Sequence, residues 1–582
     1  MAPKEEFAGE AAQALAAAAE AGVSLLAGDA ARHESAIAKA DLIVDALFGT
    51  GFRGTARGDA VGLIEAANRS GKPILAVDVP SGLQADTGTW DGPCIRASVT
   101  VTMGLPKVGL VLFPGAEMTG ALYVGDIGYP QALMDDPSIA TWLVTAAKVR
   151  ELLPRRRPDT HKGTYGHVLI LAGSVGYTGA AVLSTFGALR SGAGLVTVAV
   201  PQSVYPIVAS KVTEGIAMPL ADDGSALSPS AMARVDELLA SCDVVAAGPG
   251  LSPAHGVARV VEELLGRDKP LVLDADGLNV LAGRADRLAK ARPPVVITPH
   301  PGELGRLLKQ PTPKIVEDRL GAARAAAARF RCVVVLKSAH TVVAKPDGEA
   351  AIVRTGNPGM ASGGMGDVLT GAVAALIGQG LVPFDAAVAA AYLHGLAGDL
   401  GAQERGQVGL LASDVADGLA GGPDTPTAGL GIRDQGSETT TPMAFLVLQL
   451  LIPNPGSLIP LLEYPGALRR LSEKESAFTS RSPPVTLRGG GEKRVPGRAL
   501  HQGDDCAAES RAGHPGGHAA GRVEGRLRHG VQLARTHFVV VAQAAVRREE
   551  HVPQPSGLPT FQKCRGFHDP RILGQDMPGA PP

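Results

Sequence analysis

Residues Asn357-Pro-Gly-Met-Ala-Ser-Gly-Gly-Met-Gly-Asp367 run straight into Val368-Leu-Thr-Gly-Ala-Val-Ala-Ala-Leu-Ile377, and the reading of this stretch decides the fold. Four glycines within eight positions (Gly359, Gly363, Gly364, Gly366) allow tight turning and close approach of the backbone to a ligand. The run after Asp367 is apolar, rich in helix formers and long enough for about three turns. A glycine loop opening onto a helix presents free N–H groups and the positive end of the helix dipole, which together make an anion site. A carboxylate at that mouth repels a bound phosphate unless it has chemistry to do. Asp367 therefore reads either as a base for an attacking hydroxyl or as a plain helix cap after a flexible turn. The surrounding pattern favours the base.

Upstream of this loop the chain repeats one theme. Short apolar runs rich in β-branched residues recur within Lys162–Ser174, Gly194–Pro201, Asp243–Gly250, Pro270–Asp276, Pro294–Glu303 and Cys332–Lys337. Nearly all end in Gly, Pro or Asp, and helical stretches such as Thr178–Ser191 lie between them. Strands alternating with helices predict a doubly wound parallel sheet, with ligands at the carboxyl ends of the strands. Several exits carry candidates. Gly248-Pro-Gly250 offers backbone contact with a bulky ligand. Asp274 and Asp276 form a paired-carboxylate turn suited to magnesium or, on the plainer reading, to loop capping. Thr298-Pro-His-Pro-Gly-Glu303 fixes an imidazole and a carboxylate on a proline-stiffened loop, and Lys337-Ser-Ala-His-Thr341 joins two strands as a nucleotide loop or an ordinary hairpin turn.

The first part of the chain has the same rhythm on a smaller scale. A helix is expected over residues 5–22, strands at Asp41–Phe48, Pro73–Pro80 and Ala97–Met103, and a helix at Asp59–Ser70. Asp45 and Asp78 sit near the ends of the first two strands, just before loops containing Gly or Pro. They are either ligand-facing or structural. An Arg- and Pro-rich linker, Leu153–Asp159, reads as solvated.

Two resemblances follow from these residues. Gly248-Pro-Gly250, Thr298–Glu303, Lys337–Thr341 and the glycine loop, in that order, resemble the ADP-dependent NAD(P)H-hydrate dehydratases of the ribokinase-like superfamily over about residues 150–420. The resemblance implies that Ala180, Gly250, His300 and Asp367 contact the hydrated dinucleotide. It assigns ADP to Lys337, Ser338, Ala339, His340, Thr341 and Gly366, with Mg2+ alongside. It also implies a mechanism in which Asp367 is the catalytic base and the C6 hydroxyl of the hydrate attacks the terminal phosphate of ADP. Elimination then restores the double bond and leaves AMP and phosphate.

Asp45-Ala-Leu-Phe-Gly-Thr-Gly-Phe-Arg-Gly54 and Val77-Asp-Val-Pro-Ser-Gly-Leu-Gln-Ala-Asp-Thr-Gly88 resemble the epimerase domain of the same repair enzymes. That implies K+ held by Asp45 and Ser81. It also implies a hydrated nicotinamide held by Gly49, Thr50, Gly51, Phe52, Arg53, Gly54, Thr55 and Asp78. The family's Asn-Asn-Gly-Gly-Asp-Gly phosphate motif, with the strand and helices before it, finds no counterpart in residues 1–40. The module is therefore expected to start part-way through.

The fold class expected is α/β, with two doubly wound three-layer domains. These are a Rossmann-like epimerase remnant over 1–147 and a ribokinase-like dehydratase over 148–421, followed by a disordered tail over 422–582. In the tail the strand–helix alternation stops and Gly, Pro, Arg and His dominate. It reads as a frame-shifted extension with at most a short strand at Phe538–Ala542. Seven of the 14 histidines lie there without ligand spacing.

The whole chain is 45 % hydrophobic and 19 % charged with a net charge of −2, so nothing marks nucleic acid or an anionic membrane as a partner. Five scattered cysteines suggest neither a zinc site nor a disulfide framework, and the most apolar late run, Ala444–Leu462, is broken by three prolines. A cytoplasmic homo-oligomer acting on NADH- or NADPH-hydrate and ADP is expected. The alternatives are a different ribokinase-like ATP-dependent kinase and a non-catalytic remnant.

Overall fold

The computed structural model describes residues 9–20, 23, 24, 26 and 30–421, together with the backbone of the segments 459–461 and 538–542. The other expectations for 422–582, low order and histidine content among them, lie outside the described residues. The Ala-rich helix Glu10–Glu20 belongs to a small separate unit of chain. Both sheets belong to one compact unit, Leu26–Gln543.

Four parallel strands, β1 (Leu42–Ala46), β2 (Ile74–Val77), β3 (Val99–Met103) and β4 (Ala121–Gly125), build the first sheet in the order β4-β3-β2-β1. The Asp59–Arg69 helix crosses between β1 and β2 and buries Ala60, Ile64, Ala66 and Ala67. The second sheet has ten strands. They are β5 (Thr141–Leu143), β6 (His167–Leu171), β7 (Leu195–Pro201), β8 (Ile216–Leu220), β9 (Val244–Ala247), β10 (Leu271–Leu273), β11 (Val295–Ile297), β12 (Val333–Leu336), β13 (Thr341–Ala344) and β14 (Ala350–Val353). Their order is β5-β14-β13-β12-β11-β10-β9-β6-β7-β8. From β8 to β12 all pairings are parallel, whereas β13 runs antiparallel to both neighbours. Two further strands join the first sheet: β15 (Ile459–Leu461) pairs antiparallel with β4, and β16 (Phe538–Ala542) pairs parallel with β1. The strand expected at Phe538–Ala542 is thus present.

Every strand read from the sequence forms, trimmed by a residue or more at most ends. Strands β4, β5, β8 and β14 were not anticipated, nor was β15, where the tail was expected to hold at most the strand at Phe538–Ala542. They are short or interrupted: β5 has three residues, and β8 carries Pro219, tolerable because it lies at the sheet edge. Because β5 pairs with β14, and Val144 and Val149 bury in the second core, the second sheet takes in chain upstream of the expected boundary at 147/148.

The strand order reverses between β6 and β9. In such sheets the crevice beyond the carboxyl ends at the reversal is where ligands enter. The loops that leave β6 and β9 are Ala172–Tyr177 and Gly248–Gly250. Behind them, the helices Thr178–Arg190 and Met365–Gly378 cross with almost no side chain between them. A Cβ on Gly187 would collide with the Val368 carbonyl, and one on Gly371 with the Ser184 carbonyl. Only glycine permits that approach, and it brings the glycine loop to the mouth of the crevice.

Candidate active site

The glycine loop ends one turn earlier than expected. The helix starts at Met365, so Gly366 and Asp367 lie within its first turn, where amides have no intrahelical acceptor. Beneath them is a charged cluster in an otherwise apolar core. Asp274, at the end of β10, is 1 % exposed. Its Oδ1 lies 2.5 Å from Lys337 Nζ, and its Oδ2 accepts from Thr370 Oγ1 at 2.9 Å. Burial opposes the Lys337 charge, but the Asp274 and Glu303 carboxylates outweigh it and hold the ammonium above its ordinary pKa. Gly366 caps this pair: a Cβ there would stand 3.1 Å from Lys337 Nζ.

Asp367 has the opposite environment. Burial, reinforced by the negative charge of Asp274 and only partly relieved by Lys337, pushes its carboxyl up to about 7. A carboxyl that titrates near neutrality, at a helix N-terminus beside a glycine loop, is poised to act as a general base.

The sequence-predicted contacts come together around this point. Ala180 and Gly250 face each other, a Cβ on Gly250 falling 2.9 Å from the Ala180 Cβ, and Ser174 Oγ donates to the Gly250 carbonyl at 2.8 Å. Asp276 supports the same loop by accepting from the Ser252 amide at 2.9 Å. Of the two readings of the paired carboxylates, loop capping is what Asp276 does here, and the charge of Asp274 is taken up by Lys337. Asp274 spends both oxygens on Lys337 and Thr370, Asp276 holds a loop, and no group of three or more metal-binding side chains gathers among the described residues. A magnesium ion would have to come with nucleotide phosphates.

His300 caps the Pro301–Leu308 helix. Its Nδ1 accepts from the Gly302 amide, and Glu303 accepts from the His300 amide at 2.8 Å. The ring remains half exposed, so capping and ligand contact are compatible at this residue.

The 337–341 loop follows expectation only in part. Ser338, Ala339 and Thr341 keep exposed or half-buried positions, and Arg319 donates to the Ala339 carbonyl at 2.9 Å. The side chains of Lys337 and His340 are not offered to a nucleotide. Lys337 points to Asp274, and the buried His340 ring bonds through Nδ1 to the Val111 carbonyl of the first module.

In the first module, Asp45 and Ser81 meet directly. Ser81 donates to Asp45 from its hydroxyl at 2.6 Å and from its amide at 2.8 Å, and its Oγ accepts from the Phe48 amide. Burial pushes the Asp45 carboxyl up to about 6, and no basic side chain lies within ion-pair distance among the described residues. A buried carboxylate and a hydroxyl meet here with no cation paired to them among the described residues.

The Gly49–Thr55 loop reaches the Ser81 loop through an Arg53–Asp86 ion pair of 2.7 Å, with Phe48 and Phe52 stacked 4.7 Å apart. Asp78, with a left-handed φ of 69°, is engaged by Lys107 at 2.6 Å, Thr102 Oγ1 at 3.1 Å and the Met103 amide at 3.0 Å.

Comparison with known proteins bears directly on these two sites. A family model described as NAD(P)H-hydrate dehydratase matches residues 168–420, and one described as YjeF-related protein N-terminus matches residues 1–109. A bifunctional NAD(P)H-hydrate repair enzyme from Moorella thermoacetica is 50 % identical over 390 residues, 67 % of this chain and 74 % of that protein. The chain belongs to the bifunctional NAD(P)H-hydrate repair enzyme family. The Escherichia coli member is 40 % identical over 376 residues, 64 % of this chain and 70 % of that protein. A solved ADP/ATP-dependent NAD(P)H-hydrate dehydratase from Bacillus subtilis, co-crystallised with ATP and Mg2+, shares 35 % identity and covers 48 % of this chain and 95 % of its own, with a TM-score of 0.43.

The match to the first family model starts at residue 1. Sequence reasoning missed Thr370 and Lys107, which hold Asp274 and Asp78. It also missed His394, which bonds the Met365 backbone with one ring nitrogen while burial drives it down to about 4 and leaves Nε2 without a partner. Only the i, i+3 spacing of Asp367 and Thr370 could have flagged one of them.

Proposed function

We propose that the second module repairs hydrated nicotinamide cofactors, dehydrating (S)-NADH- or NADPH-hydrate with ADP as phosphate donor. The observation that carries this reading is the placement of Asp367. Its partly buried carboxyl titrates near neutrality in the first turn of a helix that follows a glycine loop. Asp367 takes the proton from the C6 hydroxyl of the hydrate as that oxygen attacks the terminal phosphate of ADP. The first-turn amides stabilise charge on the phosphoryl group in flight, and the buried Lys337 holds Asp274 so that its charge is not left open towards the phosphate. Magnesium, when the nucleotide carries it, shares that charge. Phosphate then leaves C6 far more readily than hydroxide would, and loss of a C5 proton restores the 5,6 double bond, giving NAD(P)H, AMP and phosphate.

Ala180, Gly250 and His300 border the hydrate, and the exposed side of Ser338, Ala339 and Thr341 borders the nucleotide. In the first module, the loops around Asp45, Ser81, Arg53 and Asp78 support interconversion of the R and S hydrates, and Asp45 and Ser81 would hold the potassium ion. Asp367→Asn is expected to reduce ADP-dependent recovery of absorbance at 340 nm by about 10²–10⁴-fold with circular dichroism unchanged. Wild-type turnover in that variant would remove Asp367 from the mechanism.

A further inference from the structure

The two modules share more than a linker. Buried residues of the first, including Leu83, Leu110, Leu112 and Met118, are continuous with the core formed by β9 to β13 of the second. At this seam the helical turn Val108–Val111 meets the 337–341 loop, and the contact is specific. His340 is 9 % exposed, its Nδ1 is bonded to the Val111 carbonyl, and its ring lies 5.0 Å from that of Phe113. Its backbone is left-handed, with φ 58°, a conformation that costs a non-glycine residue free energy unless its surroundings hold it there.

The groups facing the ring fix its state. Burial, together with the nearby Arg354 and Arg319 cations, lowers its pKa to about 4. The ring is therefore neutral and donates Nδ1–H to the acceptor that the first module supplies. Arg319 also holds the neighbouring Ala339 carbonyl, so the turn is tied from both sides.

We infer that His340 and Phe113 are positioning residues through which the first module sets the nucleotide affinity of the second. They do so by holding the 337–341 turn in its ADP-accepting conformation. The inference rests on the proposed assignment of ADP to this loop. A ring turned away from the ligand and locked into another module acts on ADP through the backbone it orients, so loosening it should weaken ADP and leave the hydrate side of the site in place.

The test uses the full-length chain and compares wild type with His340→Asn, which tolerates the left-handed backbone but cannot reach Val111, and Phe113→Leu, which keeps the seam apolar. ADP binding by calorimetry is measured alongside KM for ADP, KM for hydrate and kcat. His340→Asn should raise Kd and KM for ADP about tenfold, and Phe113→Leu severalfold, with KM for hydrate moving less than twofold. Phe113→Leu keeps the test decisive should His340→Asn fail to fold. Equal ADP affinities in wild type and the folded variants would overturn the coupling while leaving the nucleotide reading intact. No ADP binding by wild type would overturn both. A parallel loss of ADP and hydrate affinity would show a general structural defect and likewise overturn the coupling.

Discussion

Each module sets two aspartates at its candidate site, one of them fully buried, and each gives an ion-paired lysine to only one of the two. In the second module Asp274 is neutralised by Lys337 and Asp367 is left short of positive charge. In the first, Asp78 is engaged by Lys107 and Asp45 is left with the Ser81 hydroxyl and backbone amides. What differs is what can reach the uncompensated carboxyl. Asp367 is partly exposed beside a glycine loop, so substrate can meet it and a proton is its natural partner. Asp45 is 1 % exposed and already faces a hydroxyl, and the partner proposed for it is a potassium ion. One device, an uncompensated carboxylate beside a neutralised one, would thus serve the proposed base in one module and the proposed potassium position in the other.

The thermodynamic sign is shared. Both groups have folded pKa values above their unfolded ones, so the folded state holds their protons more tightly. The stability this gives is fully present below about pH 4 and is lost as pH rises through about 6 for Asp45 and about 7 for Asp367. A cation at Asp45 offsets its share of that loss. A base at Asp367 leaves its share uncorrected, as a cost of function.

The comparison breaks most visibly at the neutralised member. Lys337→Met removes the partner of a carboxylate that is 1 % exposed and should destabilise the second module by about 3–5 kcal/mol, read as a lower denaturation midpoint at pH 7.5. An unchanged midpoint would mean that Asp274 is not held as an ion pair. A smaller effect sharpens the other half. Replacing choline by potassium at about ten times its dissociation constant should stabilise the wild-type chain by about 1.4 kcal/mol and Asp45→Asn by none. Equal melting shifts in the two proteins would place potassium elsewhere.

Much of this was legible in the sequence because period and punctuation are local. The β-branched runs ending in Gly, Pro or Asp gave their strands, and the glycine spacing before Asp367 marked the anion loop. What the sequence hid is what the sheet brings together from afar. Nothing near Asp274 announces that Lys337, 63 positions on, will take one of its oxygens and Thr370 another. A pair of nearby aspartates therefore reads as a metal site until the fold separates their tasks. The His340 side chain was hidden for the same reason: its motif points to a nucleotide, while its ring's partner, Val111, is 229 positions away in the other module. Strands β5 and β8 escaped because three residues, or a run containing proline, carry too little period to read.

The most direct test of the central claim is the pH dependence of kcat for hydrate recovery with ADP, under saturating magnesium so that the terminal phosphate stays ionised. If Asp367 is the base, the rate should climb about tenfold per pH unit below about pH 7 and level off above it, following the carboxyl that burial pushes up to about 7. A rate that stays flat from about pH 6 to 8.5 would contradict that role for Asp367.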